Sequence, residues 1–346
     1  MVSNGVRFQF KRWKSGNWKA FLALVVATAT LTFSAPAVFS QASSDVKIDG
    51  SSTVYPITEA VAEEFQKQNS SARVTVGISG TGGGFKKFCN AELDITGASR
   101  PIKAEEIAAC KAKGIEYIEL PVAYDALTIV VNRSNSWVNS ITTAELKKIW
   151  EPAATGKVMK WNQVRSSWPD APLRLYGPGT DSGTFDYFTE AINGKAKDSR
   201  TDFTASEDDN VLVQGVASDR NALGYFGLAY YEENQQRLRA VPVDAGRGAV
   251  APTPANVENS TYSPLSRPLL IYVAKKSADR PEVKQFIDYY LNNTQLVEEV
   301  GYVPLPADAY VAVKAHWEGR KVGSVFAGRN TVGIKITDIL QLEAAL

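Results

Sequence analysis

The 346-residue sequence has 38 Lys and Arg residues against 37 Asp and Glu residues, and its net charge of +1 gives no electrostatic support for binding nucleic acid or an anionic membrane. A chain of this length usually forms two lobes, because single hydrophobic cores stop growing at about 250–300 residues. The chain has one histidine and two cysteines, and the cysteine spacing fits no zinc motif.

The first 42 residues have the composition of a secretory signal peptide. Residues 1–19 carry five basic residues and no acid, residues 20–33 form a mostly apolar run, and small residues follow. The apolar run is shorter than the roughly 20 residues that cross a bilayer. Cleavage is predicted after Ala42, or alternatively after Ala37, and an uncleaved anchor is the competing interpretation. Loss of residues 1–42 takes away five positive charges, so the net charge changes from +1 to −4.

Strand and helix patterns alternate along the remaining chain. The predicted strands are 46–49, 73–78, 93–96, 117–120, 127–132, 173–176, 222–226, 238–243 and 269–273. The predicted helices are 54–68, 85–89, 104–113, 142–150, 209–218, 281–291 and 307–317, with one more from the loop at Asp181 through Ile192. Residues 246–264 predict a long loop. The alternation predicts an α/β fold with parallel sheets, where ligands bind beyond the carboxyl ends of the strands.

Three short loops rich in Gly, Ser and Thr run directly into helical patterns. They are residues 50–53, 79–84 and 181–184. A helix N-terminus presents unpaired N–H groups and the positive end of the helix dipole, so it favours an anion. One such loop would be an ordinary N-cap. Three of them predict that several helix ends converge on one small oxyanion.

Charged residues near these loops are candidates for further contacts. Arg100 follows a predicted strand, and its planar guanidinium suits two oxygens of a tetrahedral oxyanion, with a pair to a neighbouring Glu as the alternative. Asp94, Asp125 and Asp181 are candidate acceptors, because a carboxylate selects a ligand that carries a proton, as phosphate does and sulfate does not. Asp181 fits a helix cap equally well. Residues 207–209 predict a solvated acidic first turn rather than a metal cluster.

The two cysteines, Cys89 and Cys110, predict one disulfide, because an exported protein with a single pair of cysteines is oxidised in its compartment. Two buried free thiols are the alternative. The bond would close a loop of about 20 residues and constrain the unfolded chain by roughly 3 kcal/mol.

Five motifs in a fixed order resemble the phosphate-specific substrate-binding proteins of ABC transporters. They are Gly50-Ser-Ser-Thr-Val-Tyr-Pro, the Gly-rich loop at Ser79, the segment from Asp94 to Arg100, Asp181-Ser-Gly-Thr, and Gly301-Tyr-Val-Pro-Leu-Pro. The resemblance covers about residues 45–346. It implies a type II periplasmic-binding-protein fold with two α/β lobes and a two-segment hinge near 122–128 and 265–271. Lobe 1 would combine 45–124 with 268–346, and lobe 2 would be 125–267.

The resemblance also implies a ligand set. Carried over by position, together with the charged candidates above, it comprises Ser51, Ser52, Thr53, Ser79 or Thr81, Arg100, Asp181, Ser182, Gly183 and Thr184. The chain departs from the best-known branch of the family at two positions. That branch has Asp in place of Arg100 and Arg in place of Pro178, so the cation is expected to have moved between lobes, with Asp181 or Asp125 as the acceptor.

The function implied is binding of inorganic phosphate in the periplasm, with association at the inner membrane left open. The protein would act as a monomer without cofactor or metal and would deliver phosphate to the permease and ATPase subunits of an ABC transporter. Alternatives are another oxyanion (sulfate, molybdate or phosphonate), an adhesion or sensing role, and a secreted phosphatase. A phosphatase needs a nucleophile beside a base or a metal cluster, whereas His316 is the one imidazole and Phe85 follows the Gly-rich loop where a P-loop has Lys.

Overall fold

The computed structural model describes residues 45–327, 329 and 331–344. The signal peptide predicted at residues 1–42 therefore lies outside the described residues. Within the described part of the chain, no helix is both long enough and apolar enough to cross a membrane.

The described chain alternates between strands and helices. The strands are β1 (Asp45–Gly50), β2 (Arg73–Val76), β3 (Ile95–Ala98), β4 (Tyr117–Ala126), β5 (Thr128–Asn132), β6 (Ile141–Thr142), β7 (Arg174–Pro178), β8 (Thr204–Ser206), β9 (Ala222–Phe226), β10 (Leu238–Ala240), β11 (Val243–Asp244), β12 (Ala249–Val250) and β13 (Ser266–Ala274). The helices are α1 (Tyr55–Gln68), α2 (Gly80–Cys89), α3 (Ala104–Ala112), α4 (Thr143–Trp150), α5 (Trp161–Val164), α6 (Gly183–Asn193), α7 (Asp209–Ser218), α8 (Leu228–Glu232), α9 (Pro254–Glu258), α10 (Lys275–Ala278), α11 (Pro281–Asn292), α12 (Gln295–Glu299), α13 (Ala307–Glu318) and α14 (Ile336–Ala344).

The strands form two five-stranded sheets and a small three-stranded one. The first sheet has the order β2-β1-β3-β13-β4, in which β1 is parallel to β2 and β3 while β13 is antiparallel to its neighbours. The second sheet has the order β10-β5-β9-β7-β8, with parallel pairing of β7 to β8 and β9 and antiparallel pairing of β5. The predicted α/β class is confirmed. The sheets were expected to be parallel, but both large sheets are mixed, because each also contains antiparallel strand pairs.

Two long strands carry the chain between the large sheets. β4 continues after Leu127 into β5 of the second sheet, and β13 brings the chain back into the first sheet. β4 and β13 pair with each other from Ser266 opposite Ala126 to Ala274 opposite Tyr117. Every residue of both strands is buried. The hinge segments near 122–128 and 265–271 and the lobe boundaries at 124/125 and 267/268 stay predictions.

Helix α1 shows how the sequence pattern produces the packing. Ile57, Val61 and Phe65 recur every four residues, so they share one face of the helix, and all three are buried. The ring of Phe65 packs edge-on against Phe286 and Tyr289 of α11, with centroid distances of 5.4 and 5.6 Å. The predicted amphipathic helix is therefore confirmed.

The Gly-rich segment was expected to be a loop before a short helix at 85–89, and this expectation is wrong. Helix α2 already begins at Gly80. A Cβ at Gly84 would lie 2.7 Å from the Cα of Gly50, so the missing side chain lets the helix pack directly on β1. Close packing of α2 on β1 therefore explains Gly84, which the sequence analysis placed in a loop.

Three further expectations about secondary structure are also corrected. β4 extends to Ala126 instead of ending near residue 120. All of its residues are buried, so its sequence does not alternate between apolar and polar residues and gives no sign of where the strand ends. The predicted loop at 246–264 contains β12 and α9, and helix α14 was not predicted. β12 and α9 have only two and five residues, which is too short for a recognisable apolar period.

The predicted disulfide between Cys89 and Cys110 is confirmed. It joins the last residue of α2 to α3, with a Cα–Cα distance of 4.3 Å, and both residues are buried. The bond fixes the helix pair that follows the loops at Ser79 and Arg100.

We expect the double substitution Cys89→Ala/Cys110→Ala to lower the free energy of unfolding by about 3 kcal/mol, because the crosslink restricts the unfolded chain. The measurement is urea unfolding under oxidising conditions. Wild-type protein in excess reductant is the matched control, since it loses the same bond, and it should unfold at nearly the midpoint of the variant. Equal midpoints for the variant and the oxidised wild type would contradict the prediction.

Candidate functional site

Two of the three predicted loops meet between the large sheets. Residues 50–53 follow β1 and lead into α1, and residues 181–184 follow β7 and lead into α6. Ser182 caps α6 by accepting a hydrogen bond from the N–H of Thr184 at 3.1 Å. The hydroxyl oxygens of Thr53 and Thr184 lie 3.0 Å apart, and both residues are completely buried. The helix N-termini therefore converge as predicted.

A buried guanidinium lies at this meeting point. Nη2 of Arg267, in β13, donates to Oγ1 of Thr184 at 2.8 Å and lies 3.4 Å from Oγ1 of Thr53. The side chains of Arg267 and Asp125 are 0% exposed, so the charge has no access to water. Among the described residues, Nη1 of Arg267 has no hydrogen-bond partner. A buried cationic N–H without an acceptor is costly, so this geometry suits an anionic oxygen.

Asp125 provides the compensating charge for Arg267. The two residues lie directly opposite each other in the antiparallel pair of β4 and β13. Oδ2 of Asp125 accepts from Nε and Nη2 of Arg267 at 3.1 and 2.9 Å, and Oδ1 accepts from the N–H of Leu228 at 3.0 Å. Burial raises the pKa of Asp125, and Arg267 opposes that effect. Both oxygens of this candidate acceptor are engaged within the protein.

A second carboxyl group lies close by, and its environment corrects an expectation. Residues 207–209 were expected to be a solvated acidic turn, but Asp209 is only 1% exposed. Its Oδ2 accepts from Oγ of Ser52 at 3.2 Å, and Oδ1 has no partner among the described residues. Burial raises the pKa of Asp209 to about 7, although Ser52 and Arg267 lower it. Tertiary packing against Ser52 explains the burial.

The third predicted loop contributes Thr81 rather than Ser79 to this region. Oγ1 of Thr81 lies 3.3 Å from Oγ of Ser99 and accepts from the Ser99 N–H at 3.2 Å. A Cβ added to Gly183 would lie 2.5 Å from Oγ1 of Thr81, so α6 begins in contact with it. The hydroxyl of Ser79 instead donates to Oδ1 of Asp49 at 2.6 Å. Of the two alternatives left open by the sequence, Thr81 is the one that faces the N-terminus of α6.

Arg100 is buried, and its guanidinium is engaged within the protein. Its Nη1 and Nη2 contact both carboxylate oxygens of Glu106 at 2.8 and 2.7 Å, and Nε donates to Oδ2 of Asp186 at 2.8 Å. The carbonyl of Pro101 accepts from Nη1 at 3.0 Å. The alternative of a pair with a neighbouring Glu is thus present, and a ligand contact by Arg100 stays a prediction.

Asp181 and Ser51 also have local roles. The Asp181 carboxylate pairs with Nζ of Lys86 at 2.9 and 3.0 Å and is partly exposed, while its carbonyl accepts from the N–H of Gly82 at 2.7 Å. Ser51 is buried, and its hydroxyl accepts from the N–H of Thr53 at 3.2 Å. The structure therefore brings together Ser52, Thr53, Thr81, Ser182, Gly183 and Thr184, and places the Asp181 side chain in an ion pair with Lys86.

Two residues of this site were missed or misjudged from the sequence. Arg267 was not considered, although a single arginine at the start of the apolar run in β13 is a signal, because a charge in a buried strand needs a partner. Asp209 follows two other acids, and nothing in the sequence distinguishes it from Glu207 or Asp208. In the described part of the chain, no group of three His, Cys, Asp or Glu side chains could hold a metal ion.

Comparison with known proteins finds relatives that match most of the chain. A family model described as a PBP superfamily domain matches residues 35–294. The chain is 59% identical to Protein SphX of Synechococcus elongatus over 300 residues, which cover 86% of this chain and 88% of that protein. It is 40% identical over 270 residues to Phosphate-binding protein PstS of Staphylococcus saprophyticus, covering 77% and 82%.

A solved structure from Clostridium perfringens is also similar. It is described as a phosphate ABC transporter substrate-binding protein and contains bound phosphate. Its sequence is 28% identical to this chain, the match covers 76% of this chain and 100% of that one, and the TM-score is 0.65.

The raised pKa of Asp209 predicts a dependence of stability on pH. A carboxyl group whose pKa is higher in the fold than in the unfolded chain stabilises the fold at low pH, and this contribution is lost as the pH rises through about 7. Between pH 5 and pH 8, phosphate-free wild type should lose on the order of 2–3 kcal/mol more unfolding free energy than Asp209→Asn. Urea unfolding at a series of pH values measures it.

Asp208→Asn is the matched control, because it makes the same change one residue earlier and keeps a side chain that can cap α7. Its pH dependence should lie much closer to that of the wild type than to that of Asp209→Asn, because Asp208 makes only a minor contribution to the raised pKa of Asp209. If the pH dependence of Asp209→Asn also followed the wild type, the buried carboxyl group would not be the source.

Proposed function

The chain belongs to the PBP superfamily and, within it, to the PstS-type phosphate-binding proteins, and on this premise we propose that it binds inorganic phosphate and delivers it to an ABC-type permease. Its fold is the two-lobe type II fold of periplasmic binding proteins. We place its action in the periplasm, as a monomer that needs no cofactor.

One observation carries the proposal. A hydroxyl group from the N-terminus of α1 and one from the N-terminus of α6 meet at the guanidinium of Arg267, inside the protein. The two helix N-termini add N–H groups and positive dipole ends, and the arginine adds a fixed positive charge. This combination suits a small tetrahedral oxyanion from which water is excluded.

We assign the cation role to Arg267. Its Nη1 is buried without a partner among the described residues, whereas every nitrogen of the Arg100 guanidinium donates to Glu106, Asp186 or Pro101. The cation then comes from the strand pair between the lobes rather than from the loop after β3. In this assignment the ligand set is Ser52, Thr53, Thr81, Ser182, Gly183, Thr184 and Arg267.

Asp209 is the proposed acceptor that distinguishes phosphate from sulfate. Above the pKa of about 7 at which Asp209 ionises, its carboxylate accepts the proton that phosphate still carries, and sulfate carries none. Oδ1 of Asp209 has no partner among the described residues, and the group lies within reach of Ser52. Sulfate would place a lone pair against a buried carboxylate, which is unfavourable.

Hinge closure is the proposed way in which binding is coupled to delivery. The N-terminus of α1 belongs to lobe 1 (45–124 and 268–346) and that of α6 to lobe 2 (125–267). A ligand that contacts both favours the closed state, because those contacts exist together only there. The permease would then recognise the closed arrangement.

Isothermal titration tests the binding. After removal of carried-over ligand, the wild type should bind phosphate at micromolar protein concentration and should bind sulfate at least about a hundredfold more weakly, since about 3 kcal/mol is typical for a buried unpaired polar group. The absence of a heat signal with phosphate would overturn the proposed function.

Substitution of the cation tests the site. Arg267→Lys keeps the charge beside Asp125 but loses the planar fork, so it should weaken phosphate binding by about 2–3 kcal/mol. Arg200→Lys is the matched control, because Arg200 is equally buried and pairs with Asp202 within the second lobe. It should leave the affinity unchanged. Equal affinities for both variants would place Arg267 outside the site.

A further inference from the structure

Three ion pairs lie along one edge of the contact between the two lobes. Lys86 of α2 pairs with Asp181 at 2.9 Å at the exposed end of this edge. Deeper inside, Arg100 and Lys103 both contact Oδ2 of Asp186, at 2.8 and 2.9 Å. In every pair the cation follows a strand of the first sheet and the acid follows β7 of the second.

The two ion pairs of Asp186 are connected to the proposed phosphate site through the backbone. Asp186 lies in the first turn of α6, two residues after Thr184. Arg100 directly follows Ser99, which contacts Thr81 in front of Gly183. A pair between Arg100 and Asp186 therefore fixes the N-terminus of α6 against the Ser99 segment.

Arg100, on the side of the first sheet, and Asp186, on the side of the second sheet, find their opposite charges in different places. Arg100 has a bidentate partner, Glu106, on its own side of the contact. Among the described residues, both cations that pair with Asp186 come from the opposite side. In an open protein Asp186 would be hydrated, so closure replaces water around Asp186 by two cations. This difference between open and closed states is what a closing contact requires.

We propose that Asp186 is a positioning residue that, with Arg100 and Lys103, latches the lobes closed over the ligand. The inference rests on the proposed phosphate binding and deepens it. Asp186 touches no ligand in this proposal, and it acts by holding α6 in the closed position. The latch therefore controls how long phosphate stays bound rather than how fast it arrives.

Asp186→Asn is a suitable test because it keeps the shape of the side chain. Arg100 retains Glu106, so the substitution leaves no buried cation without a carboxylate. Protein loaded with radiolabelled phosphate is mixed with excess unlabelled phosphate to obtain the dissociation rate, and association is followed separately. We expect dissociation to be at least about tenfold faster, with association changed by less than about twofold.

Two other variants complete the test. Lys103→Gln removes the more exposed half of the latch and should accelerate dissociation by about threefold. Asp202→Asn is the matched control, since it breaks a carboxylate–arginine pair with Arg200 that lies within the second lobe. It is expected to lower stability without changing the dissociation rate.

The outcomes separate the two proposals. If the wild type does not bind phosphate, the proposed function falls and the latch falls with it. If the wild type binds and Asp186→Asn releases phosphate at the wild-type rate, only the latch is overturned. A folded Asp186→Asn protein whose association slows as much as its dissociation accelerates also overturns the latch, because Asp186 would then shape the ligand site directly.

Discussion

The burial of Arg267 is the constraint on which the rest of the site depends. An arginine removed from water must find a carboxylate and further acceptors, because an uncompensated buried charge is strongly destabilising. The antiparallel register of β4 and β13 meets this requirement by placing Asp125 directly opposite Arg267. The remaining N–H groups point to where the two helix N-termini meet, at Thr53 and Thr184. The proposed binding site would thus have the same origin as this structural requirement.

This arrangement also has a mechanical consequence. β4 and β13 are the strands through which the chain passes between the two large sheets, and they are buried along their whole length. A cation on these strands lies where the chain crosses between the sheets. In the proposed hinge closure, the hydroxyl groups and helix dipoles of each lobe would approach a charge that is already in place.

The sequence was sufficient to predict a helix where the residues that determine it are neighbours in the chain. The spacing of apolar residues predicted α1. Helix α4 begins with a capping box of Thr142 and Glu145, and Asp208 caps α7, so both helix starts are also determined by neighbouring residues. The Gly-rich helix α2 was misjudged because the reason for its glycines is contact with β1, which is distant in sequence.

The charged residues of the site could not be assigned from the sequence for the same reason. Arg100 and Arg267 each stand beside a predicted strand, and only the tertiary structure shows that every guanidinium nitrogen of Arg100 has an acceptor while Nη1 of Arg267 has none among the described residues. The charge of Arg100 is compensated by Glu106 and Asp186. A ligand contact by Arg100 stays a prediction.

The charge balance of the site limits how it can attract an anion. Arg267 is neutralised by Asp125, Asp209 is an acid, and the mature chain predicted here carries a net charge of −4, so neither the net charge near the site nor that of the whole chain favours an anion. Attraction must come from oriented N–H groups, hydroxyl groups and helix dipoles at short range. Such donors are effective only when they are held at fixed positions around the ligand. In the proposed function, recognition would therefore depend on the closed geometry, and a contact that stabilises closure would contribute to affinity, as the residues that contact the ligand do.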